Sequence, residues 1–232
     1  MRRAILLLTL IISATVLLAA GVALAAVITC PGGVCQGTEE ADKITGSQRV
    51  DTIHALGGND NVLGRSSGDF IYGDDGNDRL SGDGGPDEIY GGPGDDIDLD
   101  GDARIDEIYG GVGNDLELDG DRGNDILHGG SGDDGGPPTS ENIQRHGLRG
   151  EGDANLVHGG DGADTINAQW AADRGGAPEE IFGDEGDDTI AADDGVKDVI
   201  DCGPGVDTVV SHDRELDVLR NCEVIRATTT AQ

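Results

Sequence analysis

Carboxylates recur at regular intervals along most of this chain, and each stands in the same local context. The clearest copies are two adjacent nine-residue units, GDDGNDRLS at 73–81 and GDGGPDEIY at 82–90. Both follow the pattern GGxGxDxUx, in which U is a large aliphatic residue, except that Asp stands at the second position. The Asp at the sixth place supplies carboxylate oxygens, which are ligands for a hard divalent cation. The spacing therefore predicts a row of cation sites to which each unit contributes one half.

The other positions of the unit must hold that carboxylate in place. Glycines at fixed offsets permit a turn with positive φ and a close approach of neighbouring backbones. The aliphatic residue at the eighth place points into a core, as expected for a short strand that follows each turn. Each unit is thus predicted to form half a coil of a stacked all-β structure.

The composition excludes an ordinary globular core and several classes of partner. The 232 residues include 41 Gly and 47 acidic residues, and only 35% are hydrophobic and 3% aromatic. The formal charge of -32 would repel nucleic acid and anionic membranes. Acidic, aromatic-poor chains are often disordered, but the regular placement of aliphatic residues beside glycine pairs argues against disorder here.

The N-terminus predicts a secretory signal peptide over residues 1–25. Two arginines precede an apolar run at 4–20, and Ala23-Leu24-Ala25 forms a small-x-small cleavage site. We therefore expect a secreted, extracellular protein with no stable membrane insertion after cleavage. The alternative is an uncleaved cell-surface anchor, because residues 4–28 are long enough to span a bilayer of about 30 Å.

Four cysteines are consistent with an oxidising compartment. Three pairings are possible, and proximity in sequence favours Cys30 with Cys35 and Cys202 with Cys222. A zinc site is the competing interpretation, and the lack of nearby histidines at metal-ligand spacing disfavours it.

The units divide the chain into regions. The repeat region is predicted at 37–210, preceded by a cysteine-containing segment at 26–36 and followed by a C-terminal cap and tail at 211–232. The glycine pattern breaks at 135–149 and 168–180, where Pro, Ser, Thr and mixed charges predict loops inserted into the stack.

Two duplicated segments, 91–109 and 110–128, each consist of a ten-residue unit followed by a nine-residue unit, so that an extra residue falls at the same place in both. We interpret it as a small bulge that turns Leu99 and Leu118 inward, with Ile97 and Leu116 as the alternative inward pair.

The repeat resembles that of the RTX proteins, the haemolysin-type calcium-binding repeat family. The resemblance implies a right-handed parallel β-roll of about eight coils, with two units per coil and multiple Ca²⁺ ions between turns stacked on the same edge. It places Asp78 on one edge with Asp60 and Asp96. The candidate metal ligands implied by the resemblance are Asp60, Asp69, Asp78, Asp87, Asp96, Asp106, Asp115, Asp125, Asp134, Asp164, Asp188, Asp198 and Asp207.

Two of these candidates depart from the family pattern. Asp69 and Asp106 lack the inner glycine of the turn, because Ser67 and Arg104 stand in its place. A cationic Arg104 beside a divalent ion is unfavourable unless the side chain turns outward. One inward aliphatic side chain per unit is also too little to order nine residues, so we expect folding to be coupled to calcium binding.

Nothing in the sequence indicates an enzyme. The five histidines are scattered, and neither an HExxH nor a GxSxG motif occurs. We predict a calcium-binding protein with a structural or adhesive extracellular role and with cell-surface or matrix components as partners. Two alternatives are a polysaccharide-acting β-helix enzyme of the lyase or epimerase kind and a disordered acidic calcium buffer.

Overall fold

A computed structural model describes residues 25–137, 147–150, 154–168 and 177–226. The predicted signal peptide, apart from its last residue, lies outside these described residues. Among the residues that are described, no helix is long and apolar enough to cross a membrane.

The described chain forms an all-β parallel β-solenoid, as the repeat predicts. Successive strands alternate between two sheets, and every strand pairs in parallel with the strand two places along the chain. The solenoid makes about nine turns, close to the eight predicted, and strands at both ends extend the sheets further. The eleven-stranded sheet consists of β1 (Val27–Thr29), β3 (Lys43–Thr45), β5 (Asn61–Leu63), β7 (Arg79–Ser81), β9 (Asp98–Asp100), β11 (Glu117–Asp119), β13 (Gly147–Arg149), β15 (Thr165–Asn167), β17 (Thr189–Ala192), β19 (Thr208–His212) and β21 (Val224–Ile225). The ten-stranded sheet consists of β2 (Gly33–Thr38), β4 (Asp51–Leu56), β6 (Phe70–Tyr72), β8 (Glu88–Pro93), β10 (Glu107–Val112), β12 (Ile126–Ser131), β14 (Leu156–Asp161), β16 (Glu180–Glu185), β18 (Val199–Asp201) and β20 (Val218–Arg220).

The core consists of two columns of aliphatic side chains, one from each sheet. Strand register places the eighth residue of a unit directly against the eighth residue of the unit one coil away, as in Ile108 against Leu127. The side chains in both columns are at most 2% exposed. The column from the eleven-stranded sheet contains Ile44, Val62, Leu80, Leu99, Leu118, Leu148, Ile166, Ile190 and Val209. The column from the ten-stranded sheet contains Ile53, Ile71, Ile89, Ile108, Leu127, Val157, Ile181 and Ile200.

The extra residue in two of the units behaves as predicted. Leu99 and Leu118 are fully buried and pair in register, whereas Ile97 and Leu116 remain partly exposed. The longer units therefore keep the aliphatic column continuous.

Parts of both predicted insertions belong to the solenoid, and residues 138–146 and 169–176 lie outside the described part of the chain. Strand β13 occupies the last three residues of the first insertion and places Leu148 in the core. At the start of the second, the N–H of Ala168 donates to the carbonyl oxygen of Ala191. A three-residue strand needs only one inward aliphatic residue, so it continues the sheet without the flanking glycines that make a unit recognisable in sequence.

Both predicted disulfides are present, Cys30–Cys35 near the first strands and Cys202–Cys222 near the last. All four cysteines are therefore paired, and no thiolate remains for a zinc site.

A column of stacked rings runs along the outer surface of the ten-stranded sheet, at the last position of successive units. Adjacent ring centroids are 4.5 to 5.0 Å apart, and the ring planes differ by 2 to 17°. This aromatic column consists of His54, Tyr72, Tyr90, Tyr109, His128, His158 and Phe182. His128 and His158 are thus outward-facing residues of β12 and β14 with a packing role.

Candidate metal sites

The turns lie on two edges of the solenoid. On the first edge, each turn leads from the ten-stranded to the eleven-stranded sheet; on the second edge, each turn leads back. The sixth-position residues of each edge, nearly all of them Asp, stack on one another, and we call each stack an aspartate ladder. The first-edge ladder contains Asp42, Asp60, Asp78, Asp96, Asp115, Asp134, Asp164, Asp188 and Asp207. The second-edge ladder contains Asp51, Asp69, Asp87, Asp106, Asp125, Asn155, Glu179, Asp198 and Asp217.

Hydrogen bonds between coils hold each carboxylate in a fixed orientation. Except at Asn155, whose side-chain amide donates to Glu179, the backbone N–H of one ladder residue donates to Oδ1 of the ladder residue one coil further on. Asp60 donates to Asp78 at 2.7 Å, and Asp78 donates to Asp96 at 2.8 Å, so these three share an edge as the repeat predicts. Each carboxylate therefore uses one oxygen to join two coils.

The second carboxylate oxygen has no such partner. All thirteen predicted ligands are at most 3% exposed. In twelve of them, Oδ2 is buried and accepts no hydrogen bond from any described residue. An unsatisfied buried carboxylate oxygen is costly, and a cation would supply the missing interaction. The twelve are Asp60, Asp69, Asp78, Asp87, Asp96, Asp106, Asp115, Asp134, Asp164, Asp188, Asp198 and Asp207.

A backbone carbonyl oxygen of the neighbouring coil lies close to the Oδ2 atom of the ladder carboxylate. A Cβ atom built on Gly91, the first glycine of its turn, would lie 2.0 Å from Asp96 Oδ2 and 2.5 Å from the carbonyl oxygen of Gly110 in the next coil. The same convergence occurs at Gly110, where Asp115 Oδ2 and a backbone carbonyl lie within 2.4 Å of the Cβ position. Carboxylate and carbonyl oxygens of stacked turns form the donor set that suits Ca²⁺, so the residues present fit this ion.

The two departures from the glycine pattern do not disturb the ladder. Ser67 and Arg104 adopt positive φ values of 80° and 115°, although neither is glycine. Arg104 is exposed, which keeps its cationic group away from Asp106. These two turns therefore keep the common geometry at a cost in backbone strain.

Burial disfavours the charged form of the ladder carboxylates. Removal from water raises the pKa of Asp78 to about 7, and the pKa of Asp96 and of Asp134 to about 8. The backbone N–H bond to each carboxylate opposes this rise, and neighbouring ladder carboxylates add to it. Without a cation, these groups favour a proton at a pH where an exposed Asp is ionised.

This pKa shift predicts an unusual pH dependence in excess chelator. The pKa of the folded state lies above the unfolded value, so the folded state binds more protons, and its stability is lost as pH rises through about 6 to 8. We expect the chelated protein to be more compact and more resistant to urea at about pH 5 than at about pH 8. Urea titrations followed by circular dichroism would measure this, and equal midpoints at both pH values would contradict it.

Four members of the second-edge ladder are not among the predicted ligands: Asp51, Asn155, Glu179 and Asp217. Asn155 and Glu179 are the two that lie inside the ladder, and Glu179 falls within a predicted loop. Asn155 Oδ1 accepts the N–H of Asp125 at 2.8 Å, and its Nδ2 donates to Glu179 Oε1 at 3.2 Å. The amide thus presents a donor where other turns present an oxygen. In the sequence, the position of Asn155 and Glu179 in the ladder is indicated only by the aliphatic residue two positions later, which is Val157 or Ile181.

A further group of carboxylates lies outside both ladders. Asp100, Asp102 and Asp121 each place one oxygen within 4.8 Å of the others. They belong to the duplicated LDGD segments, and burial with neighbouring carboxylates raises the pKa of Asp100 to about 8. The duplication was visible in sequence, but the proximity of these side chains depends on the stacking of coils.

Two stacked ladders of oxygen donors on a parallel β-solenoid define a calcium-binding repeat protein. A model of the RTX calcium-binding nonapeptide repeat matches residues 36–71, 72–97, 100–135, 148–174 and 175–209. The chain belongs to this family, which confirms the resemblance seen in sequence. A search of curated proteins found no match to the chain.

Proposed function

We propose that this protein is a secreted structural or adhesive element that winds into a rigid solenoid when it meets extracellular calcium. One observation carries the proposal: the row of buried carboxylate oxygens, on both edges, that no described donor satisfies. Twelve of the thirteen predicted aspartates, from Asp60 to Asp207, have this arrangement. A chain with a net charge of -32 needs cations to stack them.

Three further features support an extracellular setting. The N-terminal residues have the composition of a secretory signal, and both cysteine pairs form disulfides. Calcium outside cells reaches the concentrations that weak sites of about 10⁻⁴ to 10⁻³ M require. The RTX calcium-binding repeat family is also typically structural rather than enzymatic. The proposed partners are therefore calcium ions first, and surface or matrix components second.

The calcium part of the proposal is tested by calorimetric titration of the full chain, with far-UV circular dichroism recorded at each addition. We expect uptake of several ions and a parallel gain of β signal. Magnesium is the matched control, and it should give neither at equal concentration, because it demands a tighter octahedral shell. Calcium uptake without any change in β signal would point to a disordered buffer and contradict the proposal.

The extracellular part is tested separately by expressing the full chain with its own N-terminus and fractionating the culture. We expect the protein in the medium or at the cell surface, beginning near Ala26, and bound to surface or matrix preparations in calcium but not in chelator. Retention inside the cell with an intact N-terminus would contradict this part alone.

A further inference from the structure

We call each residue of a ladder a rung. Not every rung has a carboxylate oxygen available to bind a cation. At three positions the Oδ2 atom accepts a hydrogen bond from the backbone N–H four residues earlier in the same turn. Thr38 donates to Asp42 at 2.7 Å, Ser47 donates to Asp51 at 2.6 Å, and Asp213 donates to Asp217 at 2.6 Å. These rungs lie at the ends of the ladders.

Two of the three have both carboxylate oxygens satisfied. Asp42 Oδ1 accepts the N–H of Ala26 at 2.9 Å, and the Thr38 hydroxyl adds a further bond of 3.0 Å to Oδ2. Asp217 Oδ1 accepts the N–H of Asp198 at 3.0 Å. Asp51 differs, because its Oδ1 is buried and accepts no hydrogen bond from the described residues.

These end turns differ from most others in the backbone of the second residue of the turn. In nearly all interior turns described, that residue has positive φ, as in Asp74 and Gly111. Thr38 and Asp213 do not have positive φ, and their N–H groups donate to the carboxylate instead. A charge-assisted bond from an N–H to a carboxylate replaces part of what a cation would supply.

Resting on the proposed function, we infer that Asp42 and Asp217 are metal-free rungs that close the calcium ladders at opposite ends. Asp42 begins the first-edge ladder at the end of the solenoid that contains the Cys30–Cys35 disulfide. Asp217 follows Asp198, the last residue of the second edge whose Oδ2 accepts no hydrogen bond from the described residues. The Cys202–Cys222 disulfide lies at the same end of the solenoid. These end turns stay ordered without calcium, and the calcium-bound turns stack between them.

Matched substitutions in the full chain test the inference. Asp42→Asn is compared with Asp60→Asn, one coil further on the same edge, and Asp217→Asn with Asp198→Asn. We expect calorimetry to give an unchanged number of calcium ions for Asp42→Asn and Asp217→Asn, and fewer ions for each matched interior variant. Loss of an ion from Asp42→Asn or Asp217→Asn would overturn the inference and leave the proposed function standing. Failure of the unmodified protein to take up calcium would defeat the proposed function itself.

Hydrogen exchange of the unmodified protein gives a second test that needs no variant. With disulfides intact and chelator in excess, we expect the amides of Thr38 and Asp213 to remain protected while those of Gly92 and Gly111 exchange freely. Uniform exchange at all four amides would overturn the inference.

Discussion

Excess chelator at about pH 8 should abolish the cooperative β-sheet transition and expand the chain. The ladder carboxylates of this solenoid are buried one coil apart, and without calcium each must be protonated or repel its neighbours. At ten to one hundred times the dissociation constant, each ion contributes about 1.4 to 2.7 kcal/mol to the free energy of unfolding. Several such sites together are comparable to the ~5–15 kcal/mol of net stability that a typical domain has.

The measurement is thermal unfolding with hydrodynamic radius, in calcium and in chelator. Restoring calcium should restore the compact form, since the disulfides remain intact at both ends. An unchanged melting temperature and radius in chelator would show that the two aliphatic columns suffice and that the ladders do not need a cation.

The second large effect is expected from Gly113→Ala. A Cβ at this position would lie 1.9 Å from the carbonyl oxygen of Gly94 in the preceding coil. Neither backbone can move away, because the N–H of Gly94 is bonded to Val112 and that of Gly113 to Ser131. We expect the free energy of unfolding in saturating calcium to fall by about 3 kcal/mol or more, measured by denaturant titration.

Gly195→Ala is the matched control. Gly195 also has positive φ, at 90°, but a Cβ there would meet no atom within 4 Å. We expect the free energy of unfolding to fall only by the cost of backbone strain, about 1 to 2 kcal/mol. If both variants lose the same stability, close approach between coils is not what the inner glycine provides.

The period of the repeat was enough to predict the architecture, because each structural role recurs at a fixed position of the unit. The eighth position identified the aliphatic columns, and even the extra residue before Leu99 was placed correctly. Glu179 and β13 were missed for a physical reason: neighbouring coils, rather than local glycines, hold them in place. The bonds that close the ladder at Asp42 were equally hidden, since they depend on φ at Thr38 and not on residue type.

The aromatic column has a practical consequence for following this protein in solution. All three tyrosines of the chain, Tyr72, Tyr90 and Tyr109, are consecutive members of it, with ring centroids 4.9 and 4.8 Å apart and nearly parallel planes. Chromophores so arranged couple electronically, and the coupling vanishes when the spacing between coils is lost. Tyrosine ellipticity in the near ultraviolet therefore reports whether the central coils are stacked, and no attached dye is needed.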